Sequence, residues 1–98
     1  MTIKNEKNGS TLKLIVEGRV DTSTSKEFEE KAKADLGGVE ELVLDFTQLN
    51  YISSAGLRVL LSLQKIMNKQ GSMKIVGAND IVKDIFEVTG FSEILTVE

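Results

Sequence analysis

The chain has 98 residues, of which 41% are hydrophobic and 28% are charged, enough for one folded domain over residues 1–98. It contains no cysteine and no histidine, which excludes disulfides, thiolate or imidazole metal sites and catalysis by a Cys nucleophile or His base. The net charge of −3 argues against a nucleic-acid surface. With no long apolar run and no signal peptide, the chain is expected to be cytoplasmic and not bound to a membrane.

The N-terminal region predicts an antiparallel β-hairpin over about residues 2 to 18. Leu12, Leu14 and Val16 follow the two-residue period of a strand with one buried face. Asn8-Gly9 lies just before them, and both residue types tolerate positive φ, which favours a tight hairpin turn there.

Helices and strands alternate after the hairpin. Thr24 and Glu27 form a capping-box pattern at the start of a helix predicted over about 25 to 36. A continuous apolar run within 41–46 suits a central strand covered on both faces. A second, largely buried helix is predicted over about 54 to 69.

The C-terminal third predicts a strand through Met73 to Val76, a helix capped by Asn79, and a last short strand near Ile94 to Val97. The resulting order is β-β-α-β-α-β-α-β. Because helices separate most strands, the sheet should be mixed but mostly parallel, opened by the antiparallel hairpin. The fold class is therefore α/β in a single domain.

Two loops should meet at the carboxyl ends of the strands, where sites gather in open α/β sheets. They are the segments 18–24 and 50–56, the second of which carries Ser53-Ser54 directly before a helix. Unpaired backbone N–H groups and the helix dipole favour negative charge at such a position. On pattern alone, the two serines are more simply interpreted as helix caps and Asp21 as a turn residue.

Enzymatic motifs are absent from the sequence. It has no Walker loop and no GxGxxG after a strand. A small hydrolase using Ser54 would need a lysine or carboxylate as its base, and none lies at a telling spacing. We predict that the protein is not an enzyme, and that it needs no cofactor, metal or small-molecule substrate.

Three motifs, in order, resemble those of STAS domains, specifically bacterial anti-sigma factor antagonists. The segment 42–60 resembles the family's strand, short loop and Asp-Ser-[Ser/Thr/Ala]-Gly-Leu helix start. Gly18-Arg19-Val20-Asp21 resembles its second marker, and the segment 77–91 resembles its C-terminal helix and tail. The likeness covers about residues 3 to 97.

The resemblance implies a phosphorylation-controlled binding module. In that family the first Ser after the Asp, which matches Ser54 here, is phosphorylated by a partner anti-sigma factor that is a serine kinase, and a PP2C-type phosphatase reverses the change. The family's usual Asp is Ser53 in this chain, so Ser53 is a second candidate phosphoacceptor. An alternative is a STAS scaffold that assembles with others and is not phosphorylated. The resemblance implies partner contacts by Asp21, Thr22, Ser53, Ser54, Gly56, Leu57 and Arg58.

Charge is unevenly distributed around this segment. Residues 53–70 contain Arg58, Lys65 and Lys69 but no acid, so they carry +3 and leave −6 for the rest of the chain. These charges are either an ordinary solvated face or a surface that meets an acidic partner.

Overall fold

The computed structural model describes all of residues 1–98. In chain order its elements are β1 (Thr2–Asn8), β2 (Thr11–Val20), α1 (Ser25–Ala34), β3 (Glu41–Asp45), β4 (Leu49–Ile52), α2 (Ser54–Gln70), β5 (Ser72–Val76), α3 (Asp80–Val88) and a final 3-10 helix (Phe91–Glu93). The sheet runs β1-β2-β3-β5, with β4 paired to the end of β2, and only the β1–β2 pair is antiparallel. The predicted α/β class, with a mixed sheet opened by a hairpin, is confirmed. None of the helices combines the length and apolarity needed to cross a bilayer.

The hairpin turn lies one residue later than predicted. Asn8 pairs with Thr11 as the last pair of the β1–β2 ladder, so Gly9 and Ser10 form the turn. Of these two turn residues only Gly9 has positive φ, at 63°. A glycine at the first central position is typical of a type II′ turn, which needs positive φ at that position alone.

All three helices pack on one face of the sheet. A single core cluster of 24 buried residues joins inward-facing residues of the strands to α1, α2 and α3. The largest fully buried side chains include Phe28 from α1, Phe46 after β3 and Phe86 from α3. One sheet face is therefore buried, and the other is left to solvent.

Helices cover only one face of strand β3, whereas the sequence predicted a central strand covered on both faces. Val43 is only 8% exposed, yet it lies outside the core cluster, on the open face of the sheet. Its cross-strand neighbours are Lys13 on β2 and Lys74 on β5. Their aliphatic stems can shield Val43 while the ammonium groups reach water, so an apolar run arises without a second helical layer.

The structure contains a strand that the sequence analysis treated as loop. After β3, Asp45 accepts a hydrogen bond from the Thr47 amide at 2.9 Å, which holds the chain in a tight turn. The chain then forms β4, which runs parallel to β2 from Gly18 to Val20. As a result, β3 and β4 pair with successive stretches of β2.

The end of the chain differs from the predicted short strand over 94–97. Only Val97 pairs with the sheet, through an isolated parallel bridge to Ile75 of β5. The Ile75 amide donates to the Thr96 carbonyl and the Glu98 amide donates to the Ile75 carbonyl, each at 2.8 Å. The helix before it begins as predicted, with Asn79 accepting from the Val82 amide at 2.9 Å.

Candidate functional site

The two loops predicted to meet are joined at the carboxyl ends of β2 and β4. The register of these strands pairs Val20 with Ile52. Directly after this pair, the Ser53 amide donates to the Val20 carbonyl at 2.8 Å. This hydrogen bond places the start of α2 beside the loop that leads into α1.

Asp21 organises the loop between β2 and α1. Its Oδ1 atom accepts from the backbone amides of Ser23 at 3.0 Å and Thr24 at 3.1 Å, and from the Ser23 hydroxyl at 2.7 Å. Its backbone carbonyl accepts from the Ser25 amide at 2.8 Å. The carboxylate therefore orders its own loop, while Thr22 stays exposed and free to contact another molecule.

The predicted capping box at α1 is wrong. Thr24 is the residue before the helix, but its backbone is already helical, with φ −108° and ψ −12°, and its side chain caps no amide of the helix. The Thr24 hydroxyl instead accepts from the Asp21 amide at 2.9 Å and lies 3.0 Å from the Arg19 carbonyl. The side chain that accepts from the free amides just before α1 is that of Asp21. It lies three positions before Thr24, the predicted cap.

The same hydrogen bonds give the protein a pH-dependent stability. They lower the pKa of Asp21, chiefly through the Ser23 hydroxyl, below its ordinary value of 3.8. A carboxyl whose pKa is lower in the folded chain than in the unfolded chain stabilises the fold fully above the unfolded value. That contribution disappears as the pH falls through the lower, folded value.

We therefore expect Asp21→Asn to unfold at lower urea than the wild type above pH 3.8, with the two midpoints converging below it. Urea titrations at a series of pH values measure the difference, and other acids such as Asp45 contribute equally to both proteins. A gap between the midpoints that stayed constant through the acid range would contradict this account of Asp21.

The two serines at the start of α2 have different roles. Ser53 is the N-cap, with extended backbone and a half-buried side chain whose hydroxyl accepts from the Gly56 amide at a long 3.4 Å. Ser54 is the first residue of the helix and is exposed, and no side-chain hydrogen bond within the chain involves it. The accessible, unpaired hydroxyl is therefore that of Ser54.

Gly56 and Leu57 lie beneath these serines and are buried. A Cβ atom on Gly56 would lie 2.6 Å from Ile52 Cγ1 and 2.8 Å from Val20 Cγ1, so only glycine lets α2 approach the ends of β2 and β4 this closely. Leu57 is 4% exposed and belongs to the core. Burial gives both residues a role in positioning the first turn of α2, and the contact of Gly56 and Leu57 with a partner stays a prediction.

Arg58 lies one helical turn after Ser54 and is exposed. It lines a shallow groove of about 220 Å³ between the first turns of α1 and α2, together with Lys26 and Glu29 of α1. Arg58 forms no salt bridge in the structure, and Glu29 is bound by Lys33 of its own helix, with 2.9 Å between Lys33 Nζ and Glu29 Oε2. Its guanidinium is thus available to an anion at the start of α2.

A cation–π pair at the site was not predicted from the sequence. The guanidinium carbon of Arg19 lies 4.6 Å from the centre of the Tyr51 ring, a cation–π contact between β2 and β4. Arg19 and Tyr51 are cross-strand partners, so the contact follows directly from the register. Recognising β4 in the sequence would have predicted this pair, which reinforces the junction that carries Ser53.

A family model for the STAS domain matches residues 2–98. The chain therefore belongs to the STAS domain family.

Relatives of this STAS domain carry names that point to one kind of regulator. The chain is 32% identical to BtrV of Bordetella bronchiseptica, whose name describes it as an anti-sigma factor antagonist, over 99% of this chain and 85% of BtrV. It is 26% identical to an anti-sigma-B factor antagonist of Listeria monocytogenes, over 95% of this chain and 83% of that protein.

Solved structures share the fold at lower identity. An anti-sigma factor antagonist from Mycobacterium paratuberculosis superimposes with a TM-score of 0.88 at 20% identity, covering 98% of this chain and 83% of that chain. The Bacillus cell fate determinant SpoIIAA in its phosphorylated form superimposes with a TM-score of 0.76 at 15% identity, covering 99% and 91%. The STAS fold predicted from the three motifs is thus confirmed.

Proposed function

We propose that this protein is an anti-sigma factor antagonist whose binding to an anti-sigma factor is switched by phosphorylation of Ser54. Unphosphorylated, it binds an anti-sigma factor that is a serine kinase and thereby frees a sigma factor. Phosphorylated, it releases the kinase, and a PP2C-type phosphatase returns it to the binding state. All of these events would take place in the cytoplasm, where the kinase has access to ATP.

The observation that carries the proposal is the exposed, unpaired hydroxyl of Ser54 at the N-terminus of a 17-residue helix. A kinase must bring the hydroxyl oxygen in line with a transferred phosphoryl group, which requires an acceptor that is not buried and not already held. Ser53 meets these requirements less well, because its hydroxyl is half-buried and faces the Gly56 amide. The names of the relatives support the choice of partner.

A phosphate on Ser54 would be tolerated by the protein that carries it. Phosphorylation adds a charge of about −1.5 to −2 at neutral pH. At this position the charge faces the free amides and the positive end of the dipole of α2, whose first turn contains no acidic residue. Arg58, four residues on, can reach the phosphate along the same helix face. The fold therefore has no reason to change on phosphorylation.

The same phosphate would be costly inside a complex. A partner surface shaped around a serine hydroxyl offers no counter-charge, and leaving one charge desolvated and unpaired costs several kcal/mol. Binding would therefore respond to the phosphate while the free protein keeps its structure, which is how a local charge change becomes a release signal.

The chain does not need catalytic groups of its own in this scheme. ATP, Mg²⁺ and the base that accepts the serine proton would all belong to the kinase. Asp21 would act indirectly, by holding the neighbouring loop so that Thr22 and Ser54 face the same partner.

Intact-mass analysis tests the proposal. The protein is incubated with ATP and each serine-kinase-type anti-sigma factor of the source organism, and any phosphate is mapped by peptide. We expect one phosphate on the wild type, on Ser54, and none on Ser54→Ala. A phosphate on Ser53 would move the switch to that residue. No phosphate with any kinase, together with self-association in light scattering, would favour the scaffold alternative.

A further inference from the structure

The solvent face of α2 carries a basic stripe that begins at the proposed phosphorylation site. Its members are Ser54, Arg58, Ser62, Lys65 and Lys69, which follow one another at intervals of three or four residues. Such intervals place side chains on one face of a helix. The buried residues of α2, among them Leu60, Leu63 and Met67, occupy the opposite face. The basic stripe is therefore turned away from the core along the whole helix.

None of the cations on the basic stripe is neutralised within the protein. Elsewhere in the chain, Lys4, Lys13, Lys31, Lys33 and Lys74 each lie within salt-bridge distance of a carboxylate. Arg58, Lys65 and Lys69 on α2 have no such partner, and the helix itself contains no acidic residue. Single unpaired cations also lie on β1, β2, α1 and α3, but only α2 carries three of them. Glu29, the acid that shares a groove with Arg58, is bound by Lys33.

The charge of the stripe stands out against the rest of the protein. The stripe carries +3, although the chain as a whole carries −3. Leu61 is half-exposed at the side of the stripe and lies outside the core cluster, so an apolar contact is also available there. The basic stripe, with its unpaired cations and an apolar residue beside it, is complementary in charge to an acidic protein surface.

We propose that the basic stripe of α2 is the electrostatic docking surface for an acidic segment of the anti-sigma factor. This inference rests on the proposed function and names the chemistry of the partner's surface. The kinase meets the stripe with acidic residues, which steer the two proteins together and align the kinase active site with Ser54 at the end of the helix.

Phosphorylation would then act on the docking surface itself. A phosphate of about −1.5 to −2 on Ser54 cancels about half to two thirds of the +3 on the same helix face. The switch would thus weaken both the close contact at Ser54 and the long-range attraction along α2, so that the phosphorylated protein also rebinds slowly.

Stopped-flow or surface-based kinetics with the purified kinase can test the stripe. The variant is Lys65→Ala/Lys69→Ala, and the matched control is Lys7→Ala/Lys83→Ala, which removes two other exposed lysines without salt bridges, from β1 and α3. We expect the stripe variant to associate about tenfold more slowly at low salt and with a weaker salt dependence, because rim charges act mainly on the association rate. The control should behave like the wild type.

The outcomes separate this inference from the proposed function. If wild type and stripe variant associate at the same rate, or the control slows association as much as the stripe variant, the basic stripe is not the docking surface, although the kinase still binds. If no serine-kinase-type anti-sigma factor binds the wild type at any salt concentration, the proposed function fails and the docking surface fails with it.

Discussion

Replacing Ser54 by aspartate is expected to weaken binding of the anti-sigma factor by about 100-fold or more, whereas Ser54→Ala leaves it nearly unchanged. Alanine removes a hydroxyl that forms no hydrogen bond within the chain and leaves the surface neutral. Aspartate places a negative charge where the partner fits an uncharged side chain. Isothermal titration with the purified kinase measures both constants.

The interpretation requires that Ser54→Asp folds normally. An acidic residue in the first turn of a helix interacts favourably with the helix dipole. The melting temperature of Ser54→Asp should therefore match or exceed that of the wild type. Ser92→Asp is a matched control, since Ser92 is an exposed serine of the 3-10 helix, away from α2. Binding of Ser54→Asp as tight as that of Ser92→Asp would exclude a charge-operated switch at Ser54.

A graded loss of stability is expected when three glycines are changed to alanine. At Gly71, which ends α2, a Cβ atom would lie 1.8 Å from the backbone oxygen of Glu40, and backbone cannot move aside without shifting the start of β3. We expect Gly71→Ala to lower the free energy of unfolding by about 3 kcal/mol, at the upper end of overpacking costs. At Gly56 the clashing atoms belong to the side chains of Ile52 and Val20, so the loss should be smaller, about 1 to 2 kcal/mol.

Gly37 is the control of this series. It has no atom within 4 Å of the added Cβ and no positive φ, so Gly37→Ala should be neutral or slightly stabilising, by about 0.4 to 1 kcal/mol at most. Urea unfolding gives all three values. A loss at Gly37 equal to that at Gly71 would mean that chain flexibility rather than close packing explains the glycines.

The local order of the fold could be predicted where the sequence carries strong periodicity. Two such local signals are present in the structure as predicted: the alternating burial of Leu12, Leu14 and Val16 in β2, and the helix cap at Asn79. Strand β4 could not be predicted in this way. It is only four residues long, Asn50 and Tyr51 interrupt its apolar pattern, and its pairing partner lies about 30 residues earlier in β2. Long-range pairing of that kind leaves no periodic trace in the sequence.

The site was predictable in its position but not in its details. Small residues and a glycine at a helix start indicated the junction at Ser53 and Ser54, and the structure places both there. The sequence did not predict which side chain accepts from the amides before α1, because Asp21 and Thr24 are both suitable caps. The bend of the loop after β2 brings the Asp21 carboxylate to those amides. Burial of Leu57 likewise depends on the packing of α2 against the sheet.

The bridge between Val97 and Ile75 has a consequence for how the protein meets its neighbours. An uncovered edge of a sheet invites strand addition by other chains and hence aggregation. The C-terminal residues occupy the hydrogen-bonding groups of Ile75 on β5, while the opposite edge, β1, is lined with polar and charged residues that include Lys4 and Lys7. Both outer strands of the sheet are thus protected against strand addition by another chain.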